Sequence, residues 1–173
     1  MPALRPALLA ALLIAAAAAP VPAAVPAQQP AETAPEGFST EIRETTYAVA
    51  GTTARALRRA MRETGPKGYW AYTRWRVRWS SDCEVRLTIS YTFPELADRA
   101  AVPLPLRQNW DAMLVALKAH EQRHGDHGRQ AAAEILAAGC KGAKAIIRRW
   151  SREDGRLDAR TRHGRTEGVL LRD

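Results

Sequence analysis

The chain is short of cysteine and of histidine, carries fewer acids than bases, and holds no apolar run long enough to cross a bilayer. The run from Ala7 to Ala19 is broken by Pro20 and Pro22, well short of the roughly 20 residues a membrane helix needs. That excludes a retained anchor and leaves a cleavable signal peptide over residues 1–27. Arg5 supplies its positive region, and Val25-Pro26-Ala27 supplies a small-x-Ala cleavage site before Gln28. No cysteine stands near that site, which argues against a lipid-anchored form. Residues 28–38 read as a Pro/Ala-rich linker, and residues 39–173 as one domain of periplasmic or secreted location. Only Cys83 and Cys140 occur. In an oxidising compartment two cysteines pair into one disulfide, the other reading being two buried thiols.

The shortage of acids leaves 26 Lys and Arg against 18 Asp and Glu, a formal net charge of +8. It falls to about +7 once Arg5 leaves with the leader. Such a balance suits nucleic acid, but an exported protein meets anionic cell-envelope polymers and lipid headgroups first, and no nucleic-acid partner is expected. The arginines are scattered, which also fits solvated faces.

No internal repeat or low-complexity tract follows residue 36. "EIRETTYAVAG" reads as a first strand ending at Gly51, and Thr52 offers a cap for a helix over Ala54 to Glu63, stopped by Gly65-Pro66. In "YWAYTRWRVRW" Thr73, Trp75, Val77 and Trp79 share one face, and Arg74, Arg76 and Arg78 the other. "CEVRLTISYTF" alternates in the same way, so the pair reads as a β-hairpin with its tryptophans in the core. After Pro94, Pro103 and Pro105 a long helix begins. Its apolar stripe of Leu106, Trp110, Met113, Leu114 and Leu117 runs into His120, Glu121, His124 and His127. Gly139 ends it, a shorter helix spans Ala143 to Trp150, and a charged tail closes on "GVLL". The fold class is α+β, with a small antiparallel sheet packed on a long helix.

That helix carries His120-Glu121-x-x-His124. Two imidazoles one turn apart can meet one zinc ion, and the carboxylate beside the first ligand can take a proton from water that the ion acidifies. Buried histidines also occur as satisfied core groups, but three in one cluster need a shared partner. The metzincin extension needs a glycine at 127 and a histidine at 130; the chain has His127 and Gln130, which excludes that class. His127 shares the face of His120 but lies about 10 Å along the axis. It reads as a group behind the ligands or at the rim, unless Gly125 and Gly128 bend the helix. The third ligand expected is His163 from "DARTRHG", approaching from outside the helix. Asp158, Glu134 and Glu153 are carboxylate alternatives.

Taken with "YAVAGTT" at 47–53, "TRWRVRW" before Cys83, "LPLRQNW" leading to "HEQRH", and "DARTRHGRTEG" at 158–168, these motifs resemble a known family. It is the bacterial domain-of-unknown-function family described as predicted secreted zinc-dependent proteases (number nine hundred and twenty-two in that series). The resemblance covers nearly all of residues 40–170. It implies a minimal zincin-like domain in the cell envelope, with His120, His124 and Glu121 in the usual roles. It also marks Asp158, Thr161, His163 and Gly164 as a second motif at the site. The chain departs from the family pattern at Leu157 and Glu167, where that pattern has Tyr and Gln.

The expectation is therefore an exported metallopeptidase with one Zn2+, Glu121 as general base, and a protein or peptide substrate. The alternative is a non-catalytic envelope-binding domain with a structural metal site and a basic surface.

Overall fold

The computed structural model describes residues 37–172, so the stretch read as a signal peptide and most of that read as a linker lie outside the described residues. The elements run β1 (Phe38–Val49), α1 (Ala54–Thr64), β2 (Tyr72–Trp79), β3 (Val85–Leu96), α2 (Leu104–Ala137) and α3 (Ala143–Thr161). Strand β1 starts at Phe38, inside the stretch read as linker, and that ring is buried. Among the described residues no helix is long and apolar enough to cross a membrane.

The architecture is α+β, as expected, with a three-stranded sheet in the order β1-β3-β2. The sheet is mixed, not antiparallel. β2 and β3 form the expected hairpin, but β1 pairs parallel to β3, from Phe38 against Val85 to Val49 against Leu96. Parallel pairing needs a long crossover, and residues 50–84, which include α1 and β2, supply it. Alternation tells which face a residue takes, but not the direction of its neighbour.

Val85, Leu87, Ile89, Tyr91 and Phe93 alternate onto the inner face of β3 and are buried under α2. On α2, Trp110, Met113, Leu117, Ala131, Ala132 and Ile135 continue that core, and each large side chain so buried contributes about 2 kcal/mol. The helix stays continuous through Gly125 and Gly128, where it meets the sheet most closely. A Cβ at 125 would stand 2.0 Å from the Tyr91 hydroxyl, and one at 128 would stand 2.8 Å from Trp75 Cβ. Trp75 is half-buried there, as the core reading expects, but Trp79 at the strand end is 36% exposed.

Helix α1 is capped by Thr53, one residue after the expected cap, whose hydroxyl accepts from the Ala56 amide at 3.2 Å. Helix α3 does not stop at Trp150 but runs to Thr161. Its inward stripe continues through Asp154, Leu157, Asp158 and Thr161, so two carboxylates hold positions where apolar residues would have shown the period. Cys83 and Cys140 form a disulfide with Cα atoms 5.6 Å apart, tying the hairpin turn to the α2–α3 turn. It closes 57 residues of chain, worth about 4 kcal/mol in the chain-entropy view.

Candidate metal centre

His120 and His124 lie on consecutive turns of α2, facing α3, and both are buried. Their rings meet edge to face at 4.9 Å, with the two Nε2 atoms 3.3 Å apart. Asp158 on α3 completes a triangle: its Oδ1 lies 3.1 Å from His120 Nε2 and 3.2 Å from His124 Nε2. Tetrahedral ligation at 2.0–2.1 Å separates neighbouring ligand atoms by about 3.3 Å. The triangle therefore has the size of one face of a zinc site, and these three residues can hold a metal ion.

The far side of each imidazole explains why the near sides converge. His120 Nδ1 lies 3.2 Å from Glu167 Oε2, and His124 Nδ1 lies 3.0 Å from Asp154 Oδ1. Protons on the two Nδ1 atoms, donated in hydrogen bonds to Glu167 and Asp154, would turn the Nε2 lone pairs toward the triangle, the tautomer that ligation needs; at His120 the Arg123 Nη2, 3.1 Å from Nδ1, competes for that nitrogen. With both Nδ1 atoms protonated, two lone pairs and a carboxylate oxygen would face one another. Only a cation, proton or metal, resolves that. The metal-free electrostatics agree. Burial alone would lower His124, but its hydrogen bonds to Asp154 and Asp158, with the charges of Asp158 and Glu121, push it up to about 10. Burial would raise Asp158, yet hydrogen bonds from His120 and His124 and the charges of His124 and His163 hold it well below the usual range.

Asp154 is the centre of this support. Its Oδ1 also accepts from His127 Nδ1 at 2.7 Å, and its Oδ2 accepts from Trp75 Nε1 at 2.8 Å. His127 thus shares Asp154 with His124 and with Trp75 at the edge of the sheet. His124, His127 and Asp154 form a second group of metal-ligand type, but hydrogen bonds already account for its short distances. Nothing in the sequence singled out Asp154; only its four-residue spacing from Asp158 would have marked it.

Around His120 the chain after α3 is shaped by small residues. Thr161 donates to the Leu157 carbonyl at 2.8 Å and accepts from the Gly164 amide at 3.0 Å. Gly164 has φ +77 and packs so closely that a Cβ would lie 3.2 Å from His120 Cγ and 2.5 Å from Val169 Cγ2. The turn leads to Glu167, which is held by Arg123, with Nη1 to Oε1 at 2.6 Å. The acid at 167 thus pairs with Arg123 and faces His120.

His163 is not in the triangle. Its side chain is 60% exposed, and its Nδ1 lies 3.4 Å from Asp158 Oδ1. The expected histidine stands at the rim, while the carboxylate alternative, Asp158, faces both imidazoles. Glu134 pairs with Trp150 and Arg149, and Glu153 with Arg156; neither reaches the site.

Glu121 faces the opposite way, toward β2. Its Oε2 accepts from the Thr73 hydroxyl at 2.6 Å. Burial pushes its carboxyl up; the Thr73 hydrogen bond and the nearby imidazoles offset only part of that. Glu121, the three triangle residues and Asp154 all line one cavity of about 660 Å³, the size of a ligand-binding cleft. A buried carboxyl beside a metal-ligand triangle in an accessible cleft can move protons for a molecule held there.

Neither a curated protein nor a solved structure gives a match to the chain. The family described as "Bacterial protein of unknown function (DUF922)" matches residues 44–164, a span that holds the whole triangle, Glu121 and Gly164. The chain belongs to that family.

Proposed function

We propose that the chain is an exported zinc-dependent metallopeptidase, secreted or periplasmic, that hydrolyses peptide bonds. The observation that carries this reading is the set of three converging ligand atoms beside a separate buried carboxylate in one cleft. His120, His124 and Asp158 would hold the ion, which moves the third-ligand role from His163 to Asp158. The donor set of two nitrogens and one oxygen suits zinc and leaves a fourth position open, as catalytic sites do and closed structural sites do not. When bound, the ion supplies Lewis-acid activation of water and of the substrate carbonyl.

The chain's own residues do the rest. Glu121 acts as general base: with Oε2 engaged by Thr73, Oε1 takes a proton from water and later delivers it to the leaving amine nitrogen. Its raised pKa makes it a better base at neutral pH than an ordinary carboxylate. Thr73 fixes its orientation. Glu167 and Asp154 hold the two imidazoles in the ligating tautomer.

Casein hydrolysis by the zinc-loaded mature chain tests the reading. Activity is expected to vanish with a chelator, and to vanish in Glu121→Gln while zinc is retained. A zinc-loaded chain that leaves casein intact overturns it. The competing reading, a non-catalytic domain that holds anionic envelope polymer, draws on the exposed row Arg74, Arg76 and Arg78 on the outer face of β2. It predicts a fourth protein ligand in place of the open position.

A further inference from the structure

The floor of the cleft is acidic, but its rim is not. Arg62 on α1, and Arg162, His163 and Arg165 in the turn after α3, line the same cavity as Glu121 and the triangle. All four are exposed. Arg62, Arg162 and Arg165 form no ion pair among the described residues. The acids that line the cleft are already engaged: Glu121 by Thr73, Asp154 by Trp75 and His127, Asp158 by the two ligand histidines. Of the rim residues, His163 faces Asp158, while the three arginines have no acid of their own among the described residues.

The backbone holds this rim in place at some expense. Arg162 and His163 take φ of 52 and 53, left-handed conformations that side-chain-bearing residues adopt rarely and at about 1 kcal/mol or more each. The Asp158 carbonyl accepts the His163 amide at 2.9 Å, and Tyr69 lies 5.5 Å from the His163 ring, so the turn is tied to the ligand helix and to the opposite wall. The strained turn sets the Arg162 and His163 side chains at the mouth of the cavity that Glu121 and the triangle line.

We propose that the cleft selects carboxylate-bearing peptides: the rim arginines bind carboxylates close to the scissile bond, which makes the substrate an acidic peptide segment. The proposal rests on the peptidase reading for the words "scissile bond" alone; the binding preference stands without it. The same chemistry would serve acidic side chains within the segment or the terminal carboxylate of a substrate chain.

Fluorescence anisotropy with labelled peptides of equal length tests it, using the zinc-loaded mature chain carrying Glu121→Gln so that no probe is cut. One probe carries glutamates around the centre, a second carries glutamines there, and each is made with a free and an amidated C-terminus. The glutamate probe is expected to bind about tenfold more tightly at low salt, with the gap closing at high salt. Arg62→Gln, Arg162→Asn and Arg165→Gln combined should abolish the gap while the melting curve stays that of the parent. Asn is chosen at 162 because it tolerates the left-handed conformation. If the combined variant folds poorly, Arg62→Gln and Arg165→Gln alone should each narrow the gap. Tighter binding of both free-terminus probes than of their amidated forms, lost in the arginine variants, identifies the terminal carboxylate as the ligand. Equal binding of all probes, or a gap untouched by the arginine variants, overturns the proposal. Charge-selective binding by a chain that cuts nothing would remove the peptidase reading and leave this one. Charge-blind cutting would do the reverse.

Discussion

Replacing Asp154 by alanine should damage the site without removing a ligand. Its carboxylate accepts from His124 Nδ1 at 3.0 Å, His127 Nδ1 at 2.7 Å and Trp75 Nε1 at 2.8 Å. Alanine leaves three half-buried or buried donors without a partner, each lost bond costing about 1–3 kcal/mol where water cannot replace it. His127 and Trp75 keep some access to solvent, so roughly 2–3 kcal/mol in total is the expected loss for the metal-free protein. For a domain of this size that lowers Tm by about 8–12 °C. Zinc affinity should fall by about 10–100-fold, because His124 loses the group that fixes its tautomer and ring orientation. Asp154→Asn should fall between the two, since one amide oxygen can still accept from an imidazole. Chelator competition reads the affinity, and melts with and without EDTA separate the two contributions. An Asp154→Ala protein that binds zinc within twofold of wild type and melts at the same temperature would refute the reasoning. A wild-type stoichiometry of two ions per chain, falling to one in this variant, would instead make Asp154 a ligand of a second ion.

Gly128→Ala adds about 1 kcal/mol of helix propensity but sets a Cβ 2.8 Å from Trp75 Cβ, and overpacking of that kind costs about 1–3 kcal/mol. We expect a net loss of stability and a change in tryptophan fluorescence; an unchanged spectrum with a raised Tm contradicts the close approach. Gly164→Ala forces a side chain into φ +77 and against His120, so zinc affinity and stability should both fall, read by the same competition and melting assays. The pH dependence of the metal-free protein follows from two shifts. His124 is raised from 6.5 to about 10, so its contribution is fully present below about pH 6.5 and is lost as pH rises toward 10. Asp158 is lowered from 3.8, so its contribution is present above that value and is lost as pH falls through its folded value. Melts in EDTA should therefore be highest between about pH 4 and 6.5. Zinc competes with the His124 proton, so zinc affinity should climb about tenfold per pH unit from pH 6 to 8. A flat affinity over that range contradicts the protonated imidazole.

The long helix was legible because its apolar stripe and the HExxH residues share one face, so the pattern that builds the core also points His120 and His124 inward. The hairpin was legible from alternation on both strands. The disulfide expected from two cysteines in a chain read as exported is present. What alternation could not carry was the direction of β1, an edge strand exposed along most of its length, with even Ile42 54% exposed. The length of α3 was hidden for a chemical reason. Asp154 and Asp158 occupy inward positions because they face histidines, and in a linear reading they look like a charged tail. His163 drew attention as the last remaining histidine, while the carboxylate five residues earlier stood on the helix that faces the site. A functional position had broken the pattern that would have revealed it.

The central claim is that His120, His124 and Asp158 form one zinc site. Zinc content and affinity of the purified mature chain, measured for wild type, His120→Ala, Asp158→Ala and His163→Ala, test it most directly. One zinc per chain is predicted for wild type. His120→Ala and Asp158→Ala should lose affinity by orders of magnitude, while His163→Ala stays within a few fold. Loss of zinc in His163→Ala with retention in Asp158→Ala would contradict the claim and return the third-ligand role to the histidine.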